Sequence, residues 1–239
     1  MALLEGRKLT KRFGGVAALV DVDFSVGKDT IVGLIGPNGA GKTTLFNVVA
    51  GAIKPNSGRV LFDGHDIIGL PANEICRLGI ARTFQVTRPF GEMTCLENVA
   101  VAAINRRRSG TVDDWKRVAQ ENLAFVGLLD LADTEARHLN VIQKKRLEIA
   151  RALATEPRLL MLDEVLGGLN THEILEAVEF IKKLRDDRGL TIFWIEHVMG
   201  AIMKAAEVVI VLDQGSKLME GCPEEVVNDP RVIHAYLGE

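Results

Sequence analysis

The sequence predicts an α/β fold with a parallel core sheet, and two features of the chain indicate it. Short, almost continuously apolar runs are typical of strands that are covered on both faces. Such runs occupy residues 30–35, 159–162, 191–195 and 208–212. Segments with helical spacing lie between them, and parallel strands are joined through helices in this way. We therefore expect a sheet with helices on both sides.

Two further segments show the spacing of apolar residues that is typical of a strand and of a helix. Residues 19–26, LVDVDFSV, alternate apolar with polar side chains and therefore predict a half-exposed strand. In residues 171–187 apolar side chains recur at helical spacing, and Asn170 with Glu173 matches a capping box. These patterns predict one strand near the N-terminus and one long helix in the second half of the chain.

The middle of the chain, from about residue 70 to 139, differs from the rest. It contains helical patterns at 95–104 and 115–129 and a single short strand candidate, IARTF. These patterns predict a helical insertion in the α/β core, bounded by loops near Gln85 and Asn140.

The composition excludes several classes of protein. The 239 residues are 47% hydrophobic and 26% charged with a net charge of −3, so no strong basic field favours nucleic-acid binding. No apolar run is long enough to cross a bilayer, and we expect no signal peptide. The widely spaced Cys76, Cys95 and Cys222 predict neither a disulfide framework nor a zinc site. The arginine run at 106–108 predicts a solvated helix end, with a phosphate or lipid contact as the alternative.

A glycine-rich stretch, GPNGAGKTT, follows the predicted strand at 30–35 and precedes a predicted helix. It matches the pattern GxxxxGK followed by Ser or Thr at every fixed position. Glycines let the backbone fold around an anion, and the start of the helix adds its dipole. We expect Lys42 to contact the β- and γ-phosphates of a nucleoside triphosphate and the hydroxyl of Thr43 to hold Mg²⁺. The residues of this predicted phosphate loop are Gly36, Pro37, Asn38, Gly39, Ala40, Gly41, Lys42, Thr43 and Thr44.

A second motif, RLLMLDE, places two acidic residues directly after the apolar run at 159–162. We expect Asp163 to hold Mg²⁺ through water and Glu164 to polarise the water that attacks the phosphate. An acidic strand end is a weak signal alone, and it becomes specific when it occurs together with the phosphate loop.

The order of these motifs resembles the nucleotide-binding subunit of ABC transporters over essentially the whole chain. After the phosphate loop come Gln85 in ARTFQ, the helix LEIARAL, the LDE strand end and His197 in TIFWIEH. The segment GIARTFQVTRPFGEMTCLENV, the GLN after LDE and the tail VLDQGSKLMEGCPEEVVNDPRVIHAYLGE are similar to the branched-chain (hydrophobic) amino-acid uptake family. Relatives that serve urea and short amides look similar, so the solute stays open.

The resemblance implies a P-loop NTPase fold of the ABC ATPase type, with a parallel core sheet, an N-terminal antiparallel β subdomain and a helical insertion. It implies a single domain over residues 1–239. Residues 1–84 and 155–239 would form the nucleotide-binding core with its antiparallel part. Residues from about 85 to 154 would form the helical subdomain with the signature helix.

The same resemblance implies that the chain is an ATPase that uses ATP and Mg²⁺, and it assigns a role to each motif residue. The ring of Phe13 would stack on adenine. Glu164 would be the general base, and His197 would contact the γ-phosphate. The residues that would organise Mg²⁺ and water are Thr43, Gln85 and Asp163.

The resemblance also implies partners. Arg88, Phe90 and Glu92, together with Gln85, match the surface on which a membrane-spanning permease subunit docks. The chain would work with a second ATPase subunit and two permease subunits, and indirectly with a solute-binding protein. It would be a peripheral protein at the cytoplasmic face of the inner membrane, and nucleic acid is not an expected partner.

One motif departs from the pattern of the family. The signature helix there begins with Leu-Ser-Gly-Gly-Gln or Leu-Ser-Tyr-Gly-Gln, and here the residues are Leu139, Asn140, Val141, Ile142 and Gln143. Asn140 is still an N-cap residue with a hydrogen-bond donor, and Gln143 keeps the pattern, so both are expected to contact nucleotide. Ile142 fills the space in which glycine lets the backbone approach phosphate.

These changes affect the two halves of a nucleotide-bound dimer unequally. This chain's own half-site is intact, whereas its altered signature would serve the phosphate loop of the partner. We predict a heterodimer with a related ATPase whose signature is intact, because a homodimer would hydrolyse ATP slowly. Val165, in place of the proline that usually follows LDE, would loosen the turn after Glu164. The alternatives are a low-turnover nucleotide-binding regulatory partner, a soluble ABC ATPase, and a signature altered by engineering or drift.

Overall fold

The computed structural model describes residues 2–106 and 111–237. Within them the strands are β1 (Ala2–Phe13), β2 (Val16–Gly27), β3 (Ile31–Ile35), β4 (Ser57–Phe62), β5 (His65–Asp66), β6 (Ile80–Arg82), β7 (Leu159–Asp163), β8 (Thr191–Ile195), β9 (Val208–Asp213) and β10 (Ser216–Gly221). The helices of the same residues are α1 (Lys42–Val49), α2 (Ala72–Leu78), α3 (Cys95–Arg106), α4 (Val112–Phe125), α5 (Val141–Leu153), α6 (Thr171–Arg188), α7 (Met199–Ala205), α8 (Pro223–Asn228) and α9 (Pro230–Leu237). The side chains of the arginine run at 106–108 lie outside the described residues.

The core sheet of the described residues has six strands in the order β10-β9-β3-β8-β7-β6. From β9 to β6 all neighbouring strands are parallel. Every residue of β3, β7 and β8 is buried, which confirms that the continuous apolar runs are strands covered on both faces. β10 pairs antiparallel with β9 at the edge, so the sheet is mixed. Every residue of β10 is at least partly exposed. Its sequence, SKLMEG, lacks the apolar run that predicts the other strands of this sheet.

A second sheet has the strand order β2-β1-β4-β5 and is antiparallel. β2 contains the alternating segment, in which Val22, Phe24 and Val26 are buried while Asp23 and Ser25 are exposed. The alternation places the apolar side chains against the core and the polar ones in solvent. The expected antiparallel part near the N-terminus is therefore present.

The helices α3, α4 and α5 follow one another between β6 and β7, as the helical patterns predict. α4 begins with a capping box formed by Thr111 and Asp114, which satisfies N–H groups of its first turn. It ends at Phe125, although the helical pattern continues to residue 129. Gly127 has a φ of +71°, a left-handed conformation that ends helices, and Leu129 beyond it begins a short 3₁₀ helix, Leu129–Leu131.

Alternate residues of the core strands pack into two apolar clusters, one on each face of the sheet. In β8, Trp194 packs in the cluster that includes α5 and α6, whereas Phe193 packs in the other cluster with Phe46 of α1. The carboxyl ends of β3, β6, β7 and β8 meet at one edge, from which the segments with Lys42, Gln85, Glu164 and His197 begin. Across the described ranges, none of the helices combines the length and the apolar character that a membrane span requires.

Candidate active site

The phosphate loop connects β3 to α1 at the carboxyl edge of the core sheet. Gly36 has a φ of +149° and Gly41 a φ of +103°, conformations that residues with a side chain rarely adopt. A Cβ at Gly36 would lie 2.1 Å from the carbonyl oxygen of Leu212. At Gly41 the corresponding distance, to the carbonyl oxygen of Ala18, would be 2.4 Å. Both positions therefore require glycine, and neighbouring strands fix the path of the loop.

Lys42 is buried at the end of the loop, with 5% of its surface exposed. Its Nζ donates to the carbonyl oxygens of Gly36, at 2.7 Å, and Pro37, at 3.0 Å. Burial lowers the pKa of Lys42, while the negative charges of Glu164 and Asp163 act in the opposite direction. The ammonium group is thus held by the loop and lies in the field of both carboxylates of the LDE motif.

The start of α1 offers backbone donors to an anion. The helix begins at Lys42, and in the part of the chain that the structure describes no side chain caps it. The first N–H groups of a helix have no partner within the helix and, together with the helix dipole, they attract anions. Asn38, Gly39 and Thr43 are exposed, and Thr44 is partly exposed. Asn38, Gly39 and Thr43 therefore form an accessible surface at the start of the helix.

Glu164, directly after β7, contacts both other residues that the sequence assigns to catalysis. Gln85, in the segment after β6, donates from Nε2 to Glu164 Oε2 at 2.5 Å. His197, after β8, makes a hydrogen-bond contact between its Nε2 and Glu164 Oε1. The three side chains form one cluster at the ends of three neighbouring strands. The sequence predicts that Gln85 acts on Mg²⁺, and in this structure its amide nitrogen contacts Glu164.

The backbone of Glu164 is left-handed, with a φ of +48°. Such a conformation costs an L residue about 1–2 kcal/mol. A proline at position 165 would restrict the preceding residue toward an extended backbone. Val165 therefore permits the conformation in which the Glu164 carboxylate contacts Gln85 and His197.

The turn after Glu164 is held by two ionisable side chains that no motif identifies. Lys145 of α5 donates from Nζ to the carbonyl oxygens of Val165, at 2.8 Å, and Gly167. Glu196 accepts a hydrogen bond from the N–H of Leu166 at 2.8 Å. Burial raises the pKa of Glu196, although hydrogen bonds from backbone N–H groups act in the opposite direction. These bonds constrain the turn in the absence of a proline.

Asp163, the last residue of β7, is bound to Arg82 of β6, another residue that no motif identifies. Arg82 donates from one nitrogen to Asp163 Oδ2 at 2.7 Å and from another to Asn47 Oδ1 at 2.6 Å. The guanidinium group also faces the rings of Phe46 and Phe84. Because the ion pair is buried, it fixes the direction of the Asp163 carboxylate. An arginine at the end of a short apolar strand is the signal from which this pair could be inferred.

At the signature helix, Asn140 is the N-cap of α5, as predicted. Its Oδ1 accepts from the N–H of Gln143 at 2.9 Å, and Gln143 Oε1 accepts from the N–H of Asn140 at 2.9 Å. Val141 projects into solvent with 62% of its surface exposed. The helix is well capped, and the two side chains that are expected to contact nucleotide are bound to the start of their own helix.

Large apolar side chains are exposed in the segment after β6, which contains the predicted docking residues. They are Phe84, Val86 and Phe90, with 59%, 65% and 46% of their surfaces exposed. α5 holds this segment, since Glu148 accepts from the N–H of Phe84 at 2.8 Å and Arg151 donates to the carbonyl oxygen of Arg88 at 3.2 Å. Exposed apolar patches mark interaction surfaces. The signature helix is thus bonded directly to a surface that is suited to a partner.

Phe13 lies at the tip of the hairpin between β1 and β2. Half of its surface, 50%, is exposed, so the ring is accessible to a stacking partner. Lys11 lies beside it, with Nζ 5.0 Å from the ring centre. The accessible ring and the neighbouring ammonium group together suit a ligand that has an aromatic ring and phosphate groups.

The predicted metal ligands suit Mg²⁺ bound together with a nucleotide. Among the residues that the structure describes, no cluster of three or more His, Cys, Asp or Glu side chains forms a metal site by itself. Mg²⁺ commonly takes one or two carboxylates together with phosphate oxygens and water. Thr43, Gln85 and Asp163 supply a hydroxyl, an amide and a carboxylate, which are oxygen donors of the required kind.

Comparison with known proteins matches two segments of the chain to families. Residues 19–167 match the family described as ABC transporter. Residues 216–239 match the family described as branched-chain amino acid ATP-binding cassette transporter. The first match covers more than half of the chain.

Several curated relatives are similar over nearly their whole length. The high-affinity branched-chain amino acid transport ATP-binding protein LivG of Escherichia coli (strain K12) is 41% identical over 99% of this chain and 98% of that protein. The corresponding protein BraF of Pseudomonas aeruginosa is 40% identical over 99% of this chain and 98% of that protein. The probable LivG of Archaeoglobus fulgidus is 37% identical over 100% of this chain and 96% of that protein.

Solved structures show the same fold. The ADP conformation of MJ1267, an ATP-binding cassette of an ABC transporter, matches with a TM-score of 0.91 at 32% identity over 100% of both chains. The dimeric post-hydrolysis state of the ATP-binding cassette MJ0796, bound to ADP and Pi, matches with a TM-score of 0.82 at 26% identity. That match covers 92% of this chain and 98% of the other.

Proposed function

Since the chain belongs to the ABC transporter family, we propose that it is the ATP-binding and ATP-hydrolysing subunit of an uptake transporter for branched-chain amino acids or a similar small solute. The names of LivG and BraF support the solute class. The observation that carries the proposal is the position of Lys42 in the phosphate loop, within the field of Asp163 and Glu164. Gln85 and His197 contact Glu164 at the same edge of the sheet.

Nucleotide binding follows from the chemistry of the loop. The ring of Phe13 stacks on adenine, and the N–H groups of the loop and of α1 donate to the phosphates. The Lys42 ammonium exchanges carbonyl oxygens of the loop for oxygens of the β- and γ-phosphates. Thr43, Gln85 and Asp163 would hold Mg²⁺, which would neutralise negative charge of the phosphates.

Glu164 acts as the general base for the attacking water, a role that contributes about 10²–10⁴ in rate. Both of its carboxylate oxygens have partners in this structure, Gln85 on one and His197 on the other. Each oxygen has a second lone pair with which it can accept a hydrogen bond, and then the proton, from water. Transfer of the His197 contact from Glu164 to the γ-phosphate would leave Glu164 Oε1 without a competing partner.

The segment around Gln85, Arg88 and Phe90 provides the docking surface for one of the two permease subunits at the cytoplasmic face of the membrane. Its exposed apolar side chains support this role. Through the bonds of Glu148 and Arg151, a displacement of the docked segment would reach α5. A second ATPase subunit would complete the nucleotide site by closing against this one.

We also propose that the second ATPase subunit is a different chain with an intact signature. The Asn140 side chain is engaged with its own helix. Ile142 adds bulk where the family has a glycine that lets phosphate approach, whereas Val141 stands where the family has glycine or tyrosine. The partner's signature would then serve this chain's phosphate loop, and the opposite site would turn over slowly. Three substitutions recreate the family pattern in what we call the restored-signature variant: Asn140→Ser, Val141→Gly and Ile142→Gly.

Calorimetric titration with MgADP tests the proposed nucleotide site. The wild type is expected to bind, and Lys42→Ala to bind at least about tenfold more weakly because a charged donor to phosphate is lost. His65→Ala, in the exposed strand β5, is the control and is expected to bind like the wild type. A wild type that binds no nucleotide would refute the proposal.

A further inference from the structure

The phosphate loop rests against the C-terminal part of the chain. Leu212 of β9 places its carbonyl oxygen where it excludes any side chain at Gly36. Gly215, in the turn between β9 and β10, donates from its N–H to the carbonyl oxygen of Ala40 at 3.2 Å. The start and the middle of the loop are therefore supported by the segment that leads into β10, α8 and α9.

α9 adds a direct hydrogen bond to the loop. The N–H of Gly36 donates to the phenol oxygen of Tyr236 at 2.6 Å, although the two residues lie 200 positions apart. The carbonyl oxygen of Gly36 accepts from Lys42 Nζ at 2.7 Å. The first residue of the loop is thus bonded on one side to the C-terminal helix and on the other to the lysine that is expected to bind phosphate.

The Tyr236 bond satisfies an N–H that would otherwise be buried without a partner. Gly36 follows the last residue of β3 and is itself buried, and a buried N–H without a partner is unfavourable. Burial raises the pKa of Tyr236, so its hydroxyl stays neutral at ordinary pH. Val232, which is 3% exposed, anchors α9 to the core one turn earlier. The packing of Val232 therefore fixes α9 at a position from which the Tyr236 hydroxyl accepts the hydrogen bond of the Gly36 N–H.

We propose that Tyr236 is a positioning residue of the nucleotide site and that, through it, α9 sets the nucleotide affinity of this subunit. By holding the N–H of Gly36, Tyr236 keeps the loop in the conformation that Lys42 and the following N–H groups need. Residues 216–239 match the branched-chain cassette family and include Tyr236, so a segment specific to that family contacts the phosphate loop. The inference rests on the proposed function, because it concerns the affinity of the same site.

The test is Tyr236→Phe, which removes only the phenol oxygen. His234→Ala, at an exposed position of the same helix, is the matched control. In calorimetry with MgADP we expect the Kd of Tyr236→Phe to be about three- to tenfold higher than that of the wild type, as for the loss of one hydrogen bond. The control is expected to keep the wild-type Kd. A Kd within about twofold of the wild type would overturn the inference. This holds even if the melting temperature of Tyr236→Phe falls, because Tyr236 would then stabilise the fold without affecting nucleotide binding.

Amide hydrogen exchange at Gly36 gives a second readout that does not depend on nucleotide. We expect protection in the wild type and exchange at least about tenfold faster in Tyr236→Phe. Unchanged exchange would overturn the inference. A wild type that binds no MgADP would refute the proposed function instead, and the exchange at Gly36 would still decide whether Tyr236 holds the loop.

Discussion

Arg82 and Asp163 form an ion pair inside the protein, with a guanidinium nitrogen 2.7 Å from Asp163 Oδ2 and side chains that are 8% and 4% exposed. The pair joins β6, which leads to Gln85, to β7, which leads to Glu164. Arg82 also donates to Asn47 of α1, the helix that follows the phosphate loop. One arginine therefore connects the three segments on which the proposed nucleotide chemistry depends.

Removing Arg82 is expected to destabilise the protein more than removing its neutral partner. Arg82→Met leaves Asp163 buried without its cation, and the loss of one member of a buried ion pair costs about 3–5 kcal/mol. Asn47→Ala removes the other hydrogen bond of Arg82 and should cost about 1–2 kcal/mol. Urea unfolding measures both free energies. Equal losses of unfolding free energy in the two variants would show that the ion pair contributes no more to stability than the hydrogen bond to Asn47.

Lys145 is expected to act on catalysis through the turn after Glu164. Lys145→Met, made in the restored-signature variant, removes the bonds to the carbonyl oxygens of Val165 and Gly167. We expect kcat to fall about tenfold while the affinity for MgADP stays within about twofold. Lys144→Met removes the same charge from the neighbouring position of α5 and should leave kcat unchanged. If both variants lost the same activity, charge alone would explain the effect.

Glu164→Gln tests the general base. Glutamine keeps the volume of the side chain and one acceptor oxygen, but its NH2 group replaces the other oxygen and it cannot accept a proton from water. In the restored-signature variant we expect kcat to fall by about 10²–10⁴, measured as phosphate release in a single turnover. Glu179→Gln, at an exposed position of α6, is the control and should hydrolyse at the parent rate. A parent-like rate for Glu164→Gln would assign the proton transfer to another group.

Glu196 should make the stability of the fold depend on pH. Burial raises its pKa in the folded protein above its ordinary value, so the folded state binds this proton more tightly than the unfolded state does. The wild type should therefore lose stability relative to Glu196→Gln as pH rises from the unfolded pKa through the folded pKa. The glutamine amide oxygen still accepts from the N–H of Leu166. Urea unfolding of both proteins from about pH 4 to about pH 8 measures the difference, and a constant difference or one of opposite slope would exclude this role.

The sequence predicts the features whose signal is local. A nine-letter motif identifies the phosphate loop, and continuous apolar runs identify β3, β7, β8 and β9. Gln85, Glu164 and His197 each follow one of the parallel strands. Their cluster follows from topology, because the carboxyl ends of parallel strands meet at one edge of the sheet.

The residues that sequence patterns miss are those whose role depends on a distant partner. Arg82 is a single charge in a short strand, Lys145 is one of several cations on α5, and Tyr236 is an aromatic residue in the tail. Their partners lie 81, 20 and 200 positions away. No local period or motif reports such pairs, because only the packed fold brings them together.

The claim that this chain has an intact half-site and an impaired signature is tested most directly by ATP hydrolysis of the purified subunit. Glu164→Gln serves as the blank, and melting temperatures verify that every variant is folded. We predict a wild-type rate near the blank and a rate at least about tenfold higher in the restored-signature variant, which corresponds to ~1.4 kcal/mol of transition-state stabilisation. Equal rates in the wild type and the restored-signature variant, both well above the blank, would contradict the claim and show that Asn140, Val141 and Ile142 still serve phosphate.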